Sequence, residues 1–187
     1  YVQGYYYAKP MNESDFVQHL KTIAISAMAG ALPALVQTEQ AEEDVHGPTM
    51  LIVDDAEFNR AVLVNAFGDF FHIVEKENGS EALTYLREHG EKVTVVLLDL
   101  LMPVMDGFEL LKRIRMSSTL RELPVIVTSQ GDLAAEERAL DMGADDFISK
   151  PYSLQIVKHR VANAVKTYQL QHTQKQALAE TRKREQT

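Results

Sequence analysis

Between residue 49 and about residue 168 the chain alternates two patterns. Short β-branched and aliphatic runs, TMLIV (49–53), FHIVE (71–75), VTVVLL (93–98), PVIVT (124–128) and DDFIS (145–149), read as strands. The segments between them, EFNRAVLVNAF, SEALTYLREH, FELLKRIRM and LAAEERALDM, place apolar residues at helical spacing. Asp106 followed by Glu109 has the form of a capping box opening one helix, and Gly143 is placed to end another. Repeated alternation of strand and helix predicts an α/β fold, a doubly wound parallel sheet of five strands with helices on both faces. The run VVLL (95–98) is uniformly apolar, as a central strand buried on both faces would be, yet it leads into Asp99.

The flanks differ. TEQAEEDVHGP (38–48) holds four acids and no base before Gly47-Pro48 and reads as an exposed linker. From Tyr152 to Thr187 there is neither Gly nor Pro, so the last helix is expected to run past the domain. Leu154, Val157, Val161, Ala164 and Tyr168 have heptad-like spacing, from which weak self-association is expected. The later positions Gln171, Lys175, Leu178 and Arg182 make a poor seam. TIAISAMAGALPALV (22–36) is shorter than the roughly 20 apolar residues of a membrane span and contains Pro33. The expected organisation is a domain remnant over 1–21, a helix and acidic linker over 22–48, the main domain over 49–168 and a helical connector over 169–187. A start at Tyr1 suits a fragment of a longer protein.

Composition narrows the chemistry. At 187 residues and 45% hydrophobic content, one domain with a substantial core is expected. A formal net charge of −8 without a basic stripe argues against nucleic acid as a partner. Zero cysteines exclude disulfides, thiolate metal sites and cysteine nucleophiles, and fit a cytoplasmic setting.

In a doubly wound sheet, ligands bind outside the carboxyl ends of the strands where strand order reverses. Asp54 and Asp55 follow the first strand and Asp99 follows the third. The flavodoxin-like order 2-1-3-4-5 makes those strands neighbours, so three carboxylates converge on one crevice. Their repulsion raises at least one pKa unless a cation is shared, and an all-oxygen site suits Mg²⁺. Thr128 and Lys150 end the fourth and fifth strands on the same rim. Taken singly these residues have ordinary readings as turns, strand formers or core, but together they form a site equipped to receive a phosphoryl group. Asp99 is the expected nucleophile, forming an acyl phosphate.

Residues 49 to about 165 resemble the receiver domain of two-component response regulators, through LIVDD, LLDLLMPVMDG, PVIVTS and GADDFISKP. The resemblance implies that Asp99 is the phosphoacceptor, supplied by a histidine kinase or histidine phosphotransfer protein. It implies Asp55 as a direct Mg²⁺ ligand, Asp54 as a ligand through water, and the Leu101 backbone carbonyl as a further ligand. By the same resemblance Thr128 is the switch hydroxyl and Lys150 the phosphate-pairing cation. Phe147 is the aromatic that turns inward once Thr128 engages the phosphoryl group. Leu101 and Gln130 fall near the attacking-water path of that family. Counting from Pro124 places the switch hydroxyl at Ser129, whereas counting from Gly143 and Lys150 places it at Thr128. Thr128 is taken, with the missing residue assigned to the preceding loop, where length varies cheaply. Such a domain is a switch feeding covalently linked output domains rather than an enzyme. The Lys150-Pro151 peptide is expected to be cis.

The first 21 residues, YVQGYYYAKPMNESDFVQHLK, resemble the final strand and helix of EAL-type cyclic-di-GMP phosphodiesterases. A complete barrel of that kind needs about 250 residues, so the remnant implies a link to cyclic-di-GMP signalling without the activity. One rival reading is an Mg²⁺-dependent phosphohydrolase of haloacid dehalogenase type, which needs Asp-x-Asp where this chain has VDDAE. Another is a degenerate receiver serving only for docking, against which the intact acid set weighs.

Overall fold

The computed structural model of the protein describes residues 47–130 and 133–185. The expected remnant over 1–21 and the linker up to residue 46 lie outside the described residues. In chain order the elements are β1 (Thr49–Val53), α1 (Glu57–Phe67), β2 (His72–Lys76), α2 (Gly79–His89) and a 3-10 turn (Gly90–Lys92). There follow β3 (Val93–Asp99), α3 (Gly107–Met116), β4 (Val125–Ser129), α4 (Leu133–Asp141), β5 (Asp146–Ser149) and α5 (Leu154–Glu185). The five strands form one parallel sheet in the order β2-β1-β3-β4-β5.

Local chemistry explains the boundaries. Asp106 caps α3 by accepting the Glu109 N–H at 2.8 Å, while the Glu109 carboxylate turns to Arg113 at 2.7 Å instead of closing the capping box. Asn78 caps α2 by accepting the Glu81 N–H at 3.0 Å. Gly143 follows α4 with φ at +94°, a conformation that favours glycine, and the chain turns back there with the Ala144 N–H on the Ala139 carbonyl.

The sheet separates two apolar layers. Val53, Val96, Leu98, Val127 and Phe147 pack with α2, α3 and α4, while Ile52, Leu97, Ile126 and Ile148 pack with α1 and α5. That alternation is the period of a strand, and it decides where each strand's last side chains emerge.

The long last helix corrects the expected self-association seam. Val157 and Val161 are fully buried, and Leu154 and Ala164 pack against the same layer, so these positions cover the sheet of their own domain. Ala162 and Val165 join them. A spacing of three and four serves a sheet-covering helix as well as a coiled coil, and over four turns the two patterns do not separate. The helix continues unbroken past Tyr168 to Glu185, and Lys175 forms an ion pair with Glu122, ahead of β4.

Candidate functional site

Four side chains reach the carboxyl rim by the same route. Asp54, Asp99, Thr128 and Lys150 each stand two residues beyond a strand residue of the α1/α5 layer, namely Ile52, Leu97, Ile126 and Ile148. The two-residue period therefore carries all four to one face, where the sheet ends. Register sets the neighbours, with Asp99 directly beside Thr128. Lys150 closes the group, its Nζ donating to Asp54 Oδ2 at 2.7 Å and to Asp99 Oδ2 at 3.1 Å. The Lys150-Pro151 peptide is cis, as expected.

Asp55 is exposed, yet one oxygen each of Asp54, Asp55 and Asp99 lies within 4.8 Å of the others. Asp54 is the most heavily bonded of the three. Besides Lys150 it accepts the Ala56 N–H at 2.9 Å, and Asn59 Nδ2 donates to both carboxylate oxygens at 3.1 Å. Asp99 has less support, with Lys150 and a long 3.4 Å bond from the Leu101 N–H. Burial pushes the Asp99 carboxyl above its ordinary value and the Asp54 charge adds to this, against the opposing pull of Lys150. Burial alone would lower the Lys150 ammonium, but its bonds and proximity to Asp54 and Asp99 together hold it above its ordinary value.

Backbone approach keeps the acid where it is. A Cβ on Gly107 would stand 2.2 Å from the Asp99 carbonyl, so the start of α3 can lie against the end of β3 only because residue 107 is glycine. Between them, Leu101 and Val104 are exposed on the connecting loop.

The expected pairing of Thr128 with Phe147 looks different in three dimensions. Phe147 is opposite Val127 in the register and belongs to the α2/α3/α4 layer, whereas Thr128 is opposite Ile148. Ser129 shares the side of Phe147, and its hydroxyl is buried without a hydrogen-bond partner. Phe147 is itself only 5% exposed, so the aromatic expected to turn inward is already packed. Gln130 is exposed at the rim.

Asn59 and Arg60 went unnoticed in the sequence. Arg60 is buried at 7% exposure on the apolar stripe of α1, with Leu63 and Phe67 at helical spacing beyond it. A charge on such a stripe was the available signal.

A doubly wound sheet with carboxylates gathered at its topological switch point is a phosphate- or metal-handling α/β class of site. The model of the family described as response regulator receiver domain matches residues 50–162, and the chain belongs to that family. It is similar to a probable cyclic di-GMP phosphodiesterase of Vibrio cholerae, 32% identical over 64% of this chain and 27% of that protein. This chain therefore spans about a quarter of that relative's length. A two-component response regulator of rice, ORR11 from Oryza sativa, is 35% identical over 66% of this chain and 86% of its own. Among solved structures, the CheX-CheY complex of Borrelia burgdorferi with BeF₃ and Mg²⁺ aligns with a TM-score of 0.59 and 31% identity. That alignment covers 63% of this chain and 89% of the other. The family match leaves the haloacid dehalogenase reading without support. No described helix is long and apolar enough to cross a membrane.

Proposed function

We propose that this receiver domain accepts a phosphoryl group on Asp99 from a histidine kinase or histidine phosphotransfer protein. The observation that carries the reading is the placement of Asp99, on a rim shared with Asp54, Asp55, Thr128 and Lys150, bonded to the ammonium and beside two further acids. In the transfer the donor's P–N bond breaks as a P–O bond to Asp99 forms, and imidazole leaves. The all-oxygen donor set fits a hard divalent cation, and Asp54, Asp55, Asp99 and the Leu101 carbonyl are the groups that would hold Mg²⁺. When bound, Mg²⁺ supplies positive charge that offsets the phosphoryl oxygens. Lys150, bonded to Asp99, would add positive charge of its own, and Thr128 would donate its hydroxyl.

The signal then leaves through the end of β4. Thr128 and Ser129 are consecutive, one beside Asp99 and the other on the side of Phe147, so drawing the first toward a phosphoryl group shifts the second against the aromatic. Lys150 also ties its N–H to the Ser129 carbonyl at 2.9 Å, which joins that shift to β5 and the start of α5. The output lies in covalently linked domains, reached through α5. The Vibrio cholerae relative and the resemblance of residues 1–21 to an EAL domain's end favour cyclic-di-GMP signalling as the pathway. Docking without phosphorylation has no comparable support.

Intact-mass measurement after incubation with acetyl phosphate tests the assignment. One phosphoryl adduct is expected with Mg²⁺, none after chelation, and none in Asp99→Ala. An adduct that survives Asp99→Ala overturns it.

A further inference from the structure

Arg60 touches no carboxylate of the crevice, yet it grips the turn that carries two of them. Its Nη1 donates to the backbone carbonyls of Asp54 at 2.8 Å and Asp55 at 3.2 Å. Its other edge is held by acids at the end of β2, with Nε on Glu75 at 3.3 Å and Nη2 on Glu77 at 3.1 Å. The guanidinium is thus a planar clamp between β2 and the β1–α1 turn, and its geometry is fixed because both edges of the fork are engaged.

The two carbonyls it holds define the orientation of the peptides after Asp54 and after Asp55. Those peptides decide which way the two carboxylates leave the turn. The Ala56 N–H and Asn59 restrain the Asp54 side chain, but no described hydrogen bond restrains the Asp55 side chain, which is exposed. For Asp55, orientation comes from the backbone alone.

We propose that Arg60 is a positioning residue for divalent-cation binding, acting through the Asp54 and Asp55 carbonyls to aim both carboxylates into the crevice. The inference rests on the proposed reading of that crevice as a cation and phosphoryl site. It makes a prediction opposite in sign to simple electrostatics. A buried positive charge near a cation site repels the cation, so removing it should strengthen binding by Coulomb's law. If Arg60 positions the ligands, removing it weakens binding despite the lost repulsion, by about the tenfold or more seen when outer partners of metal ligands are removed.

Calorimetric titration with Mg²⁺ on the full chain separates the two, using wild type, Arg60→Met and Arg60→Lys, with thermal unfolding recorded alongside. The expected result is a Mg²⁺ Kd raised about tenfold or more in Arg60→Met, with acetyl-phosphate labelling regained at saturating Mg²⁺. Arg60→Lys keeps the charge but lacks the fork, cannot hold both carbonyls and both glutamates, and is expected to weaken Mg²⁺ as well. A purely structural role would lower the unfolding temperature and leave Kd unchanged. Equal or tighter Mg²⁺ binding in folded Arg60→Met overturns the inference. Should that variant not fold, wild-type affinity in Arg60→Lys overturns it equally. Wild type that binds no Mg²⁺ removes the reading of the crevice itself, an outcome distinct from either.

Discussion

Two successive levels of the same strands are buried alike and differ in chemistry. Ile52, Leu97 and Ile126 are at most 1% exposed and ask only for contact, whereas two residues on, Asp54, Asp99 and Thr128 are 1%, 6% and 1% exposed and carry polar groups. Burial stabilises the first level through apolar area removed from water, and at the second it disfavours the charged form of Asp99 more than Lys150 restores it. The difference teaches that the rim is a cost that the interior carries, which is how a marginally stable domain can hold a carboxylate whose ionised form burial disfavours.

The largest effect that would sharpen this contrast is expected from the interior. Leu98 is fully buried one residue before Asp99, and Leu98→Ala should lower unfolding free energy by about 3 kcal/mol through lost contact and a residual cavity. Urea denaturation measures it. A loss below about 1 kcal/mol would mean that the layer collapses around the gap and that the interior is less closely packed than its burial indicates.

At the rim, a substitution of similar conservatism should act with the opposite sign. Asp99→Asn removes a charge that burial disfavours more than the opposing pull of Lys150 restores, with Asp54 adding a smaller repulsion, while Lys150 keeps its 2.7 Å bond to Asp54. A gain of about 1 kcal/mol near neutral pH without divalent cations is expected. The sign with pH follows from the raised pKa. The folded state holds the Asp99 proton to higher pH than the unfolded chain, so the stabilisation that protonation gives is complete below the ordinary value of 3.8. It is lost as pH rises through the folded value. The advantage of Asp99→Asn over wild type should therefore be greatest above that window and shrink as pH falls through it. A variant less stable than wild type at neutral pH would show that Lys150 needs both acids, and that the rim is a net source of stability.

This contrast also explains what could be read from the chain. Strand ends and the acids at them were legible because apolar runs and their polar terminators are local signals, and Asp54, Asp55, Asp99, Thr128 and Lys150 all reach one rim. Arg60 was not, because the acids that hold it, Glu75 in β2 and Glu77 just after it, are 15 and 17 residues away and are brought beside it only by the β1–β2 pairing. Thr128 and Phe147 were expected to act as one unit, and the parity of β4 and β5 sets them on opposite faces with Ser129 between the two roles. The seam of α5 misled for a related reason, since spacing reveals that a face is apolar but not what covers it.

The smallest effect concerns strain in the loop between Asp99 and α3. Val104 has φ at +68°, the Met105 N–H donates across it to the Pro103 carbonyl at 2.8 Å, and the side chain is 86% exposed. A β-branched residue at positive φ in so tight a turn is costly, by about 1 to 2 kcal/mol, and with so little burial it gains almost nothing from packing. Glycine would relieve the strain but gives back about 0.5 to 1 kcal/mol through the freedom of the unfolded chain. Val104→Gly should thus stabilise the protein by roughly 0.5 to 1 kcal/mol net, read as a rise in unfolding temperature. Asn adopts this conformation more readily than Val without the full entropy cost of glycine, so Val104→Asn should do at least as well. If both variants are instead less stable, the Val104 side chain makes contacts that its exposure conceals, and strain at the rim would then be confined to the carboxylates.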